Sequence, residues 1–92
     1  MIVRIAGEQQ FRLPDENTDR LNQLDNEAVA AVEAGDEGRF KELWAQMLAL
    51  VESEGKPLDD DELVESDIIM PPRDISFAEA QAEFTGEGLI PD

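Results

Sequence analysis

Three groups of residues have types and spacing from which chemistry could be built. They are the acidic run Asp59-Asp60-Asp61-Glu62, the pair Arg4 and Arg12, and the segment Asp67-Ile68-Ile69-Met70-Pro71-Pro72. A calcium loop of the EF-hand kind needs alternating oxygen ligands, glycine at its sixth position and glutamate at its twelfth. Counted from Asp59, those positions hold Val64 and Met70, so the acidic run reads as solvated loop. Carboxylate pairs can serve as general acid and base, but none of the 23 acids sits between apolar flanks beside a nucleophile. The chain has no histidine and no cysteine. A histidine base, a thiolate nucleophile and the imidazole and thiolate metal sites are therefore excluded. Gly7, Gly35, Gly38, Gly55, Gly86 and Gly88 are scattered and form no phosphate loop; all but Gly38 read as turn or cap residues. The expectation is no catalytic, cofactor-binding or metal-ligating residue.

What remains is recognition. Arg4 and Arg12 fall on two stretches that alternate apolar and polar residues, Val3, Ile5, Phe11 and Leu13 against Arg4, Ala6, Gln10 and Arg12. That is the period of half-buried strands. A loop of Gly7, Glu8 and Gln9 would pair Ile5 with Phe11 and Val3 with Leu13, giving one apolar face. It would also set Arg4 opposite Arg12, where like charges are costly unless an anion lies between them. The pair reads either as two surface arginines neutralised by the chain's own acids, or as a small cationic face for an acidic partner segment. Residues 66–72 carry the other candidate surface. An apolar run ending in two prolines reads either as cover for the core or as an interface.

The charge narrows the partner. The formal net charge is −16, which disfavours nucleic acid, because affinity there comes from cations that displace phosphate counterions. It disfavours an anionic membrane surface for the same reason. It suits a basic protein partner, simple solubility, or a salt-adapted proteome. No run of 18 apolar residues is present, so no membrane-spanning helix is expected. Met1-Ile2-Val3-Arg4-Ile5 does not read as a signal peptide, and a cytoplasmic location is expected by default.

The elements that must position these residues fit one domain over residues 1–92. The densest apolar stripe lies in residues 36–54, where Phe40, Leu43, Trp44, Met47, Leu48, Leu50 and Val51 recur at helical spacing. An earlier helix, capped by Asp15 or Asn17 and running to about Ala34, carries Leu21, Leu24, Ala28, Ala31 and Val32 on one face. Gly35 and Asp36 between them predict an antiparallel αα-hairpin. Gly55 and Pro57 end the second helix. Residues 56–74 have no sustained period. Ile68 to Met70 is a short strand or an irregular segment across the core, and Pro71-Pro72 favours extended chain. Ser76 and Glu79 form a capping box, with Ile75 and Ala80 as a hydrophobic staple. The helix they start carries Phe77, Ala80 and Phe84 on one face and ends at Gly86. The tail Leu89-Ile90-Pro91 is apolar enough to dock. The expected fold is α+β: an N-terminal β-hairpin packed on an αα-hairpin, then an irregular acidic and proline-bearing segment, then a short C-terminal helix.

The order of these pieces resembles the PspA-associated protein family, PspAA. The resemblance rests on Met1-Ile2-Val3-Arg4-Ile5 with Gly7-Glu8, on Ala34-Gly35-Asp36-Glu37 at the helix turn, and on Glu87-Gly88-Leu89-Ile90-Pro91 near the end. Its most specific part is Pro57-Leu58, Asp60-Asp61-Glu62-Leu63-Val64, Ser66-Asp67, Ile69 and Pro71-Pro72. Asp59 and Glu65 stand where relatives are expected to have proline, which loosens that loop. The resemblance implies a non-catalytic accessory that binds or regulates a PspA-like coiled-coil protein in the phage-shock or envelope-stress response. The expectation is a cytoplasmic protein, peripheral to the inner membrane through that partner and without direct insertion, with a weak homo-oligomer left open. The partner surface expected from the residues is Arg4, Arg12, Asp67, Ile68, Ile69, Met70, Pro71 and Pro72. Two other classes stay open on the residues alone. A nucleic-acid mimic or antitoxin-like regulator would gather its acids into one phosphate-spaced stripe, whereas acids here run from Glu8 to Asp92. A carboxylate and metal-dependent enzyme would show a melting shift with magnesium, manganese or calcium.

Overall fold

In the computed structural model, which describes residues 1–59, 64–84 and 88–89, the chain folds as a small α+β domain. Strands β1 (Ile2–Ile5) and β2 (Gln10–Arg12) form the hairpin, α1 (Asp15–Glu33) and α2 (Glu37–Glu54) the helical pair, and α3 (Phe77–Glu83) the short last helix. Two further strands, β3 (Lys56–Pro57) and β4 (Ile68–Met70), complete a mixed sheet in the order β3-β2-β1-β4. Both add to the expected hairpin. β3 pairs antiparallel with β2 and β4 pairs parallel with β1. A lone hairpin is marginal in water, and these flanking strands supply the support it needs.

The hairpin register differs from the expected one. Val3 pairs with Phe11, Arg4 with Gln10 and Ile2 with Arg12, so Arg4 does not face Arg12. Side chains alternate with period two, so a slip of two residues leaves the same residues on the same face. Val3, Ile5, Phe11 and Leu13 still point inward and are buried. What the apolar pattern cannot discriminate is the loop. The connection spans residues 6–9, with Gly7 at φ 79° and the Glu8 amide donating to Ile5 O at 2.8 Å. Glu8 is in turn gripped by Arg73, whose Nη2 donates to Glu8 Oε1 at 2.9 Å and whose Nη1 donates to Glu52 on α2.

The helix ends follow local rules with one exception. At the turn between α1 and α2, Gly35 takes φ 73°, its amide donates to Val32 O, and the Asp36 amide donates to Ala31 O. That pair of bonds is the Schellman arrangement, and a left-handed Gly35 is what permits it. Asp36 then caps α2 by accepting from the Arg39 amide at 3.1 Å. The capping box of Ser76 and Glu79 is present in both directions. The exception is the start of α1, where neither Asp15 nor Asn17 caps. Pro14 holds the cap position without a side-chain bond, and Asp15 and Glu16 occupy the first turn, where carboxylates favour the positive end of the helix. α3 ends before the expected Gly86: Glu83 is its last residue and Phe84 its C-cap, with the Phe84 amide donating to Ala80 O.

The stripe of α2 is the centre of the core. Phe40, Leu43, Trp44, Met47, Leu48 and Val51 are all buried. They meet the α1 stripe on one side and the inner face of the sheet, now including Ile68 and Met70, on another. Phe84 closes the end, 5.1 Å from Phe40 and 5.8 Å from Trp44 between ring centroids, both edge-on. Trp44 also spends its indole N–H, donating to Arg73 O at 3.1 Å. An apolar body with its polar tip satisfied is the favourable way to bury tryptophan. Replacing Trp44 with alanine is expected to cost about 3–5 kcal/mol in urea unfolding. Arg73→Ala gives a different signature. The guanidinium holds the Glu8 carboxyl below its ordinary value, first through the hydrogen bond and then through charge. A depressed carboxyl stabilises the fold above its unfolded pKa, and that contribution fades as pH falls through the folded value. Arg73→Ala is expected to lose this acid-limb dependence in pH-resolved melting and to leave the neutral-to-alkaline limb parallel to the parent protein.

Candidate functional site

Alternation along the strands sends Ile2, Arg4, Gln10, Arg12, Lys56 and Ile69 to the face of the sheet opposite the helices, since directly paired residues share a face. The four strands contain three basic residues, Arg4, Arg12 and Lys56, and no acid. The helices behave in the opposite way. The exposed sides of α1 and α2 carry Asp19, Glu33, Glu37, Glu42, Glu52 and Glu54. The chain is therefore acidic on its helical side and cationic on its strands.

This outer face is not bare. β3 and β4 lie at opposite edges of the sheet, and the described chain before β4 crosses its outer face. Residues 64–67 do so over β2 and β1. Gln10 Nε2 donates to Val64 O at 3.0 Å and to Ser66 Oγ at 2.8 Å. The Ile2 amide donates to Asp67 Oδ2 at 2.6 Å, and the Asp67 amide returns a bond to Ile2 O at 2.8 Å. Gln10 and Ile2 are consequently buried although they point away from the helices. The traverse runs between Arg4 on one side and Arg12 on the other, and all of Arg4, Arg12 and Lys56 stay exposed.

The expected partner segment is divided by the same geometry. Ile68, Met70 and Pro71 are buried. Ile68 and Met70 belong to the core and are not available to a partner in the folded domain. Asp67 is exposed, but its carboxyl is held by the Ile2 amide. Ile69 and Pro72 are exposed, and Ile69 keeps 62% of its surface in solvent. Val64, at 37%, is the other exposed large apolar side chain among the described residues. It lies on the traverse, over the same face of the sheet. Composition within 66–72 could not separate these residues, but strand alternation does so once β4 is paired with β1.

One residue that the sequence reading passed over organises the opposite side. Asp25 lies on the buried stripe of α1 between Leu24 and Ala28 and is fully buried. Both of its carboxyl oxygens accept from the Leu89 amide, at 3.0 and 2.9 Å. Gly88 adopts φ 78°, and a Cβ there would fall 2.7 Å from the Asp25 carboxyl oxygens. The expected docking of the tail is thus observed at Leu89, which packs against the core; Ile90 and Pro91 lie outside the described residues. The available signal was an acid at an apolar stripe position, which a burial-minded reading flags as needing a donor. Among the described residues no three acids group so as to hold a metal ion, and Asp60 to Glu62 fall outside them. No described helix is long and apolar enough to cross a membrane.

These features define a small α+β domain whose helical pair covers one face of a mixed sheet and whose other face presents the strand cations Arg4, Arg12 and Lys56 beside the acids Glu65 and Asp67 and the exposed Val64 and Ile69. The family model described as PspA-Associated protein matches residues 1–92, and the chain belongs to that family. No curated protein and no solved structure matches it.

The Asp25 contact makes a direct prediction. Asp25→Ala leaves the part-buried Leu89 amide without its carboxylate acceptor, which is expected to cost about 1 kcal/mol and to speed hydrogen exchange at Leu89. Gly88→Ala should do the same by strain and collision. Unchanged melting and unchanged exchange in both variants would remove the role assigned to Asp25.

Proposed function

We propose that this protein is a non-catalytic accessory that binds, and thereby regulates, a PspA-type coiled-coil protein of the envelope-stress response. The observation that carries this reading is the family match over residues 1–92, whose description names association with PspA. The surface fits a binding role. Large apolar side chains are otherwise covered among the described residues, yet Val64 and Ile69 stand exposed over one face. The charge distribution fits as well, because an acidic helical side can steer encounter with a charged coiled coil. In this reading the protein is cytoplasmic and meets the inner membrane only through its partner.

The test is co-purification with the PspA-type protein encoded in the same genome, followed by size-exclusion chromatography with light scattering. The expected outcome is a shared peak at moderate salt that weakens as salt rises. Separate elution at both low and moderate salt would overturn the reading.

A further inference from the structure

β4 is three residues long, all of them apolar, and runs directly into Pro71 and Pro72. A slip of one residue along β1 would turn Ile69 inward and Ile68 and Met70 outward. An unbroken apolar run specifies its own register weakly, because either face can be buried. Something outside the run has to hold Val3 to Ile68, Arg4 to Ile69 and Ile5 to Met70. At one end the Ala6 amide donates to Met70 O at 2.9 Å. A parallel ladder advances by two residues on both strands, so at the other end the Ile2 amide would meet the carbonyl of Ser66. It donates instead to Asp67 Oδ2 at 2.6 Å, while Gln10 of β2 holds the Ser66 hydroxyl at 2.8 Å. The Asp67 carboxylate thus stands in for the next ladder carbonyl, and the Asp67 amide closes the clasp by donating to Ile2 O at 2.8 Å. A carboxylate accepting from a backbone amide makes one of the stronger hydrogen bonds, and Ile2 is buried, where an unpaired amide is costly.

We infer that Asp67 is a positioning residue for partner binding: its carboxylate sets the register of β4 and so holds Ile69 on the outside of the sheet. It acts through β4 and not by contact with the partner, because its carboxyl is already engaged by Ile2. The register role stands on the hydrogen bonds alone, and its consequence for binding rests on the partner reading above. The clasp needs an acceptor at this position and has no need of a charge. Asparagine keeps a side-chain oxygen that accepts and serves in place of Asp67. Alanine removes the acceptor and leaves the Ile2 amide unpaired.

The experiment compares Asp67→Asn and Asp67→Ala with the parent chain, by amide hydrogen exchange in the free protein and by binding to the PspA-type protein. Asp67→Ala is expected to speed exchange about tenfold at Ile2 and also at Ala6, at the far end of the ladder, and to weaken partner binding about tenfold. Asp67→Asn is expected to match the parent chain in both. Unchanged exchange at Ala6 in Asp67→Ala overturns the register role. Should Asp67→Ala not fold, Asp67→Asn decides: parent-like exchange with parent-like binding supports the inference. Parent-like exchange with weakened binding means that Asp67 meets the partner by its charge, and overturns it. Absence of partner binding by the parent chain contradicts the proposed function and leaves the exchange rates to decide the register role.

Discussion

Everything in this fold depends on the burial of the α2 stripe. Phe40, Trp44, Met47 and Val51 have to be covered from several directions at once, and no single other element is large enough to do it. α1 covers one side, the sheet a second, and α3 with Phe84 closes the end. In a domain of 92 residues only roughly 60–65% of the unfolded surface can be buried, so the apolar side chains of the helices are used up inside. Apolar surface left outside is then informative, and it lies over the face of the sheet turned away from the helices.

That division of labour explains the charge pattern. The helices are amphipathic and show their acids to water, while the strands show Arg4, Arg12 and Lys56. Residues 64–67 cross this face before β4 and are pinned there by Gln10 and Ile2. A glutamine amide is suited to this, since it can donate to two acceptors from one buried position. The result is a face with a fixed polar seam, cations on either side of it, and Val64 and Ile69 exposed.

Much of the architecture was legible in the residues because it is written in short-range signals. The Gly35-Asp36 turn, the Ser76/Glu79 capping box and the apolar stripes of α1 and α2 all lie within a few residues of what they specify. Information that depends on distant chain was not legible. The hairpin register slipped by two residues because parity preserves the apolar face, and Arg4 with Arg12 therefore lost its direct pairing. β3 was hidden because proline at position 57 argues against a strand, although an edge position tolerates it. The split of residues 66–72 into buried Ile68, Met70 and Pro71 against exposed Ile69 and Pro72 needed the parallel pairing with β1. Asp25 could be marked as anomalous on its stripe, but its partner lies 64 residues away at Leu89.

The central proposal is that a PspA-type partner covers the exposed Ile69, and Gln23 on the outer side of α1 serves as the control. The absence of cysteine allows a single thiol to report on each side. Ile69→Cys and Gln23→Cys, each otherwise like the parent chain, would be labelled with a maleimide in the presence and absence of the PspA-type protein. The account predicts that the partner slows labelling at position 69 and leaves position 23 unchanged. Protection at position 23 with none at position 69 would contradict it.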